Sequence, residues 1–432
     1  MNADTGLDLI RAALPTAGPP VTAYIAYSGG RDSHVLLHWL AGQRDALAPH
    51  RLRAVHIDHG LHPDSGRWAT HCVTVCAALQ LPLDVRKVDA SAAPGQSTEA
   101  AARMARYAAL AAAMADGDLI LTAHHQADQA ETVLLALLRG AGLAGAAAMP
   151  ARRRFGSGWL LRPMLDWQAQ RVTDYAQTHA LRWVEDPSNS NARFDRNFLR
   201  SDVVPRLGRR WPAAVQNLAR HAAHAGEAQV LLDELAAGDG AAADTLSVSR
   251  LATLSAPRQR NLVRGWLRGH GVAAPSCARL EALLHQALTA RTDRLPRQHF
   301  GEHAVRVWQG RLHLTREPLP AAPADTLHWR PDAPLDVPGL GRLHAELRHG
   351  AGIAAALLGE PPLIEVRFRC DANGGKALKK RLQAMTVPPW QRHQVPLLFH
   401  GKTLLQVAGQ APVHKARARP DQPGYCVAWQ PF

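Results

Sequence analysis

Six residues, Ser28-Gly29-Gly30-Arg31-Asp32-Ser33, lie between the apolar run Val21 to Tyr27 and a second apolar run that opens after His34. Two consecutive glycines let backbone N–H groups converge on an anion. A helix beginning near Ser33 adds unpaired donors and the positive end of its dipole. The hydroxyls of Ser28 and Ser33 are further donors. Asp32 is the odd member, because a carboxylate beside phosphates repels them unless a cation lies between. Mg2+ held by Asp32 and phosphate oxygens meets that need. The Walker spacing and its lysine are absent, so this is a different phosphate loop. A tight turn with incidental glycines is the other reading of the same residues.

The elements around this corner alternate. Val21 to Tyr27, Leu52 to Gly60, Leu81 to Ala90 and Asp118 to His125 read as strands. The run from Ser33, Ser65 to Leu79, Ser97 to Ala115 and Asp128 to Gly142 read as helices, with Ser97 and the early acids suited to helix starts. The pattern predicts an α/β fold whose N-terminal part is a doubly wound parallel sheet of Rossmann-like type. Ligands of such sheets sit at the carboxyl ends of the strands. Tyr27-Ser28, His56 to His59 and Ala123 to His125 all fall at such ends and are expected to share one crevice.

Further along, the composition changes. We expect a catalytic domain at 1–215, a helical domain at 216–316, and a proline-rich linker or edge structure at 317–339, where six prolines fall. A small mixed, mainly β domain is expected at 340–432. The 432 residues carry 50 Lys+Arg against 36 Asp+Glu, a net +14, which suits a polyanionic partner such as RNA. Arginine-rich composition as a general habit is the alternative. Only six of those basic residues are lysine, and five of them lie beyond position 375. Lysine and arginine are not interchangeable, so this end is expected to have an electrostatic task of its own. Five cysteines make no disulfide framework, and no Cys/His metal spacing occurs. No apolar stretch is long enough for a bilayer and no leader pattern opens the chain, so a cytoplasmic protein without a membrane partner is expected. A homodimer is compatible with the sequence, which does not specify it.

Ser28 to Ser33 resembles the pyrophosphate loop of ATP-dependent enzymes that adenylate a substrate and release pyrophosphate. Four further stretches are similar to the tRNA(Ile)-lysidine synthases within that superfamily. They are Val55 to Ser65, Ala123 to Pro150, Arg162 to Leu165 with Glu185 to Arg200, and Gly374 to Leu397. The resemblance implies ATP, Mg2+, free L-lysine and a tRNA(Ile) with a CAU anticodon, whose first anticodon cytidine is adenylated and then attacked by the lysine amine.

On that reading Ser28 to Ser33 clamps the phosphates, Asp32 is the catalytic metal ligand and His56 lines the nucleotide. Arg103 and Arg106, three apart on one helix face, neutralise phosphate or simply face solvent. Asp128 and Glu131, also three apart, hold the lysine ammonium and take its proton, or serve the dipole of an ordinary helix. Ala127 stands where family members often carry an acid, which places the role on Asp128. His125 orients Asp128 or touches phosphate. Among Arg193, Arg196 and Arg200, the resemblance sends Arg200 to the active site and leaves Arg193 and Arg196 for RNA; an exposed basic face is the plain alternative. Ala151 to Phe155 and Arg206 to Arg210 are candidates to ring the crevice with arginine. Lys376, Lys379, Lys380, Arg381 and Arg392 are expected to grip the acceptor stem through phosphate contacts, with Trp390 a structural plug. Two rivals remain at this point. One is another pyrophosphate-loop enzyme such as a tRNA thiolase, which would want a reactive cysteine pair, whereas Cys72 and Cys76 read as core. The other is a tRNA-binding protein without catalysis.

Overall fold

The computed structural model describes residues 4–60, 62–89, 98–187, 193–273, 275–290, 295–368 and 376–432. They fall into two compact units, Met1–Glu234 and Leu235–Phe432. The first unit carries α1 (Asp4–Arg11), β1 (Thr22–Ala26), α2 (Arg31–Ala41), β2 (Arg51–Asp58), α3 (Ser65–Ala78), β3 (Leu83–Lys87) and α4 (Thr98–Ala111). It continues with β4 (Leu119–Leu121), α5 (Gln126–Leu138), β5 (Arg152–Phe155) and β6 (Gly158–Leu161).

The strands form one sheet in the order β3-β2-β1-β4-β6-β5. All neighbours are parallel except the β5–β6 hairpin. Ala23 and Ile25 of β1 and all three residues of β4 are buried, as inner strands covered on both faces require. The chain leaves β1 toward β2 on one side and returns to β4 on the other. That reversal opens a crevice at the carboxyl ends of β1 and β4, the place where an open α/β sheet takes its ligand. The strand expected to reach His125 stops at Leu121. The reason is local: His125 caps α5, so the chain must already have left the sheet. Ser97, expected as the cap of α4, lies outside the described residues.

The second unit contains a four-stranded antiparallel sheet (Thr245–Ser247, Arg311–Arg316, His303–Trp308, Arg297–Phe300), which the sequence reading did not anticipate in its helical middle. Helices Ala256–Gly269 and Cys277–Thr289 pack on it through Trp266, Leu267, Leu280 and Leu283. Two further four-stranded antiparallel sheets share a core that includes Leu343, Ile364, Val366 and Leu398. The proline-rich stretch supplies an edge strand to each, Leu327–Trp329 and Leu335–Val337, with Trp329 and Val337 buried. Edge placement is what proline tolerates, because it cannot donate to a ladder. Among the described residues no helix is long and apolar enough to cross a membrane.

Candidate active site

Ser28, Gly29 and Gly30 carry the chain from β1 into α2. Gly29 has φ +87°, and a Cβ there would lie 3.2 Å from the Cys72 sulfur, so both conformation and space call for glycine. The serines brace the corner. Ser33 Oγ donates to the Gly30 carbonyl at 2.9 Å and accepts from the Ser28 N–H at 3.2 Å, while the two hydroxyl oxygens lie 3.0 Å apart. The Ser33 hydroxyl is therefore spent on the loop itself. The N–H groups of Arg31, Asp32 and Ser33, in the first turn of α2, have no carbonyl four residues back within the helix to bond. They are the donors available to an anion, at the positive end of the helix dipole.

Asp32 stands next to them. Its Oδ1 accepts from Arg31 Nε at 2.9 Å, and its Oδ2 lies 3.5 Å from His125 Nε2. Burial pushes this carboxyl up. The bond to His125 and the charges of His125 and Arg31 outweigh that and hold it down at about 2. Asp32 is thus ionised at any working pH. The Nδ1 of His125 accepts the Ala127 N–H at 3.2 Å, so the neutral ring carries its proton on Nε2, toward Asp32. Burial works against a charged His125, but the Asp32 bond and the charges of Asp128 and Asp32 raise its pKa.

The same cap leads to the second cluster. Asp128 Oδ2 accepts the backbone N–H of His125 at 3.0 Å, which closes a capping box and orients the carboxylate. Asp128 is 8% exposed and Glu131 1%. Two buried carboxylates one turn apart would repel each other without cations, and two arginines supply them. Arg196 donates from Nε to Glu131 at 2.7 Å and from Nη2 to Asp128 at 3.0 Å. Arg200 donates from Nε to Glu131 at 2.7 Å, and from Nη2 to Asp128 at 3.2 Å and to Glu131 at 3.0 Å. Both arginines come from one helical run, Asp195–Arg210, which contains a wide turn at Leu199–Val203. Four residues apart, they reach α5 from the same side. The site therefore joins an anion-binding helix start to a paired-acid cluster through one histidine.

Models of three domains match the chain: a PP-loop domain over residues 15–207, a TilS substrate binding domain over 246–313 and a TilS substrate C-terminal domain over 364–429. The tRNA(Ile)-lysidine synthase of Alkalilimnicola ehrlichii is 44% identical over 421 residues, covering 94% of each chain. That of Coxiella burnetii is 40% identical over 419 residues, covering 94% of this chain and 93% of the relative. That of Methylococcus capsulatus is 38% identical over 440 residues, covering 98% and 99%. The chain belongs to the tRNA(Ile)-lysidine synthase family. Its Ser28–Ser33 corner lies inside the PP-loop match, the ATP-utilising part of the family's architecture.

Not every residue expected at the site is found facing it. His56 is buried at 5% exposure, and its Nδ1 bonds the Tyr27 carbonyl at 2.9 Å; it fixes the end of β1 instead of presenting itself to a ligand. Arg196, expected on RNA, pairs with the two acids. Arg193 is exposed. Arg392 is buried at 8%, with Nε donating to the Val387 carbonyl at 3.0 Å, so it holds a turn and is corrected from the RNA-facing set. Lys379 and Lys380 are exposed on the helix Lys376–Ala384, whose Leu378 and Leu382 pack against Leu397 and Val407. Arg381 on the same helix is half-buried and bonds Gln410 at 2.6 Å. The side chain of Lys376 lies outside the described residues. Arg103 and Arg106 gather at Tyr107, 4.9 and 5.7 Å from its ring centre. Cys72 and Cys76 are buried, and burial pushes their thiols up to about 12 and about 11, which removes them from reactive chemistry. Sequence reasoning missed His124, which burial holds down at about 3, and the buried Arg162. The signal for each was position at a strand end and, for Arg162, its place in the Arg162 to Leu165 stretch.

Proposed function

We propose that this protein ligates free L-lysine to the cytidine at the first anticodon position of a tRNA(Ile) with a CAU anticodon, forming lysidine, AMP and pyrophosphate. ATP lies with its phosphates against the Gly29–Gly30 corner and the start of α2. The ring carbonyl oxygen of the cytidine attacks the α-phosphorus and pyrophosphate leaves. The lysine side-chain amine, having lost a proton, then attacks the same ring carbon, and AMP leaves with the oxygen. Asp32 would hold Mg2+, which neutralises phosphate charge. One ionised carboxylate beside a phosphate site fits an ion that takes few protein ligands and completes its shell with phosphate and water.

The observation that carries this reading is the buried pair Asp128 and Glu131, joined through His125 to Asp32. Two buried carboxylates are a fitting receptor for a primary ammonium and a base for its proton. The arginines now on them act as stand-ins for that ammonium. Arg200 has the more exposed side chain, 48% against 25% for Arg196, so it is the one that yields to lysine. A guanidinium released there faces the phosphates. The second unit carries the tRNA, with Lys379 and Lys380 on its docking surface for the acceptor stem, and the reaction belongs in the cytoplasm with its tRNA. The test is incubation with unmodified tRNA, labelled lysine and ATP. Lysine-dependent AMP release with label on the tRNA is expected. ATP consumption that leaves the tRNA unlabelled, or no consumption at all, would remove this function.

A further inference from the structure

A cavity of about 450 Å3 opens on the first unit between α4 and the β5–β6 hairpin, and no step above uses it. Its lining includes Arg103, Tyr107, Met149, Pro150, Arg153 and Arg162. Arg103 and Arg153 lie 4.9 and 5.4 Å from the Tyr107 ring centre, and Arg103 Nη2 donates to the Tyr107 hydroxyl at 3.3 Å. Arg162 is 3% exposed. Its Nη1 donates to the Pro150 carbonyl at 2.5 Å, but its Nε is buried without a partner, as is the Nε of Arg153. Among the described residues, no carboxylate forms an ion pair with Arg103, Arg153 or Arg162. These guanidinium groups meet a phenol, a carbonyl and aromatic faces but no carboxylate, and the buried Nε donors left over on Arg153 and Arg162 are costly unless an anion completes them. Their planar forks match a phosphate oxygen pair.

We propose that this pocket holds one phosphodiester group of the RNA substrate, next to the base that is modified. The proposal deepens the function read above and rests on it for the identity of the RNA. The choice of RNA over the nucleotide's own phosphates follows from the sheet. Arg153 lies on β5, three strands from β1 in the order β3-β2-β1-β4-β6-β5. At the usual strand spacing that is about 14 Å from the strand that feeds the Ser28–Ser33 corner. The arginine-rich run of β5 is sorted by strand alternation. Arg153 turns to the Tyr107 side, whereas Arg152 and Arg154 lie over the Trp159 ring at 3.7 and 4.0 Å. Met149 of the lining exchanges two hydrogen bonds of 2.9 Å with Gln129, the neighbour of Asp128 on α5, so the pocket adjoins the paired-acid cluster.

The test uses Arg153→Gln in the full chain, with an unmodified CAU-anticodon tRNA transcript as probe. Binding is followed by fluorescence anisotropy between low and moderate salt, and ATP affinity is measured separately without tRNA. Expected are roughly tenfold weaker tRNA binding and a log–log salt slope smaller by about one, with ATP affinity at the wild-type value. Arg103→Gln, on the exposed face of α4, gives the same loss of tRNA affinity and slope should the β5 variant fold poorly. Unchanged affinity and slope would overturn the proposal. So would a loss of ATP affinity with the tRNA slope intact, because the pocket would then serve the nucleotide. Failure of the wild-type protein to attach lysine, with the arginine-dependent slope still present, would sink the lysine reading and leave the pocket standing.

Discussion

Glu131→Gln is the perturbation that separates the two roles of the acid cluster. The substitution keeps shape and volume but removes a charge from a residue that is 1% exposed. Glu131 accepts three hydrogen bonds, at 2.7, 2.7 and 3.0 Å, all from guanidinium groups. An amide can accept at one end only, and its NH2 would then face an arginine donor. Breaking a buried ion pair by neutralising one partner costs about 3–5 kcal/mol. Here the arginine side chains keep 25% and 48% of their surface, so both can rehydrate in part. We therefore expect a stability loss of about 2–3 kcal/mol, read by chemical denaturation. Arg200→Gln in the same background should be less than additive, because both changes break the same bonds. In steady-state assays the variant should lose lysine use, while ATP and tRNA binding remain. A variant as stable as wild type would refute the electrostatic account of the cluster. A variant that attaches lysine at the wild-type rate would refute the ammonium-receptor account.

Two other predictions concern pH and salt. Burial, with neighbouring positive charge, holds His124 at about 3 and His34 at about 4, both below the ordinary 6.5. The unfolded chain therefore binds protons that the folded chain refuses, and stability falls as pH drops from about 6.5 toward 4. Denaturation at pH 7.5 and pH 5 should show this loss with net proton uptake, to which His38, His59 and His313 add in the same sense while the raised His125 opposes it above about 6.5; a flat profile would refute it. Lys379→Ala with Lys380→Ala should weaken tRNA binding and lower the salt slope by about one per charge. An unchanged slope would take these lysines off the docking surface.

Local patterns carried the phosphate corner. Two glycines and an aspartate between a strand and a helix dictate backbone direction, and the alternation around them dictates a parallel sheet whose strand ends gather the ligand. Asp128 and Glu131 were legible as a pair because a helix period of 3.6 puts residues three apart on one face. The β-sheet of the middle region was hidden, since its short strands carry arginine and histidine at positions that also suit helices. Edge strands in the proline-rich stretch were half legible, because proline excludes a central strand but does not say which sheet is joined.

What the sequence determined by itself is therefore the chemistry that lies within one turn or one strand: the anion corner, the carboxylate pair, the sheet type and the family. Pairing across distance was decided only in three dimensions. Arg196 and Arg200 lie 65 to 72 residues from the acids they neutralise, and nothing local marks them apart from Arg193. Burial likewise turned His56 and Arg392 inward and set Arg162 at the base of a pocket. An arginine reads the same in a sequence whether it meets a carboxylate, a carbonyl or water; the desolvation that gives it a role is a property of the packed fold.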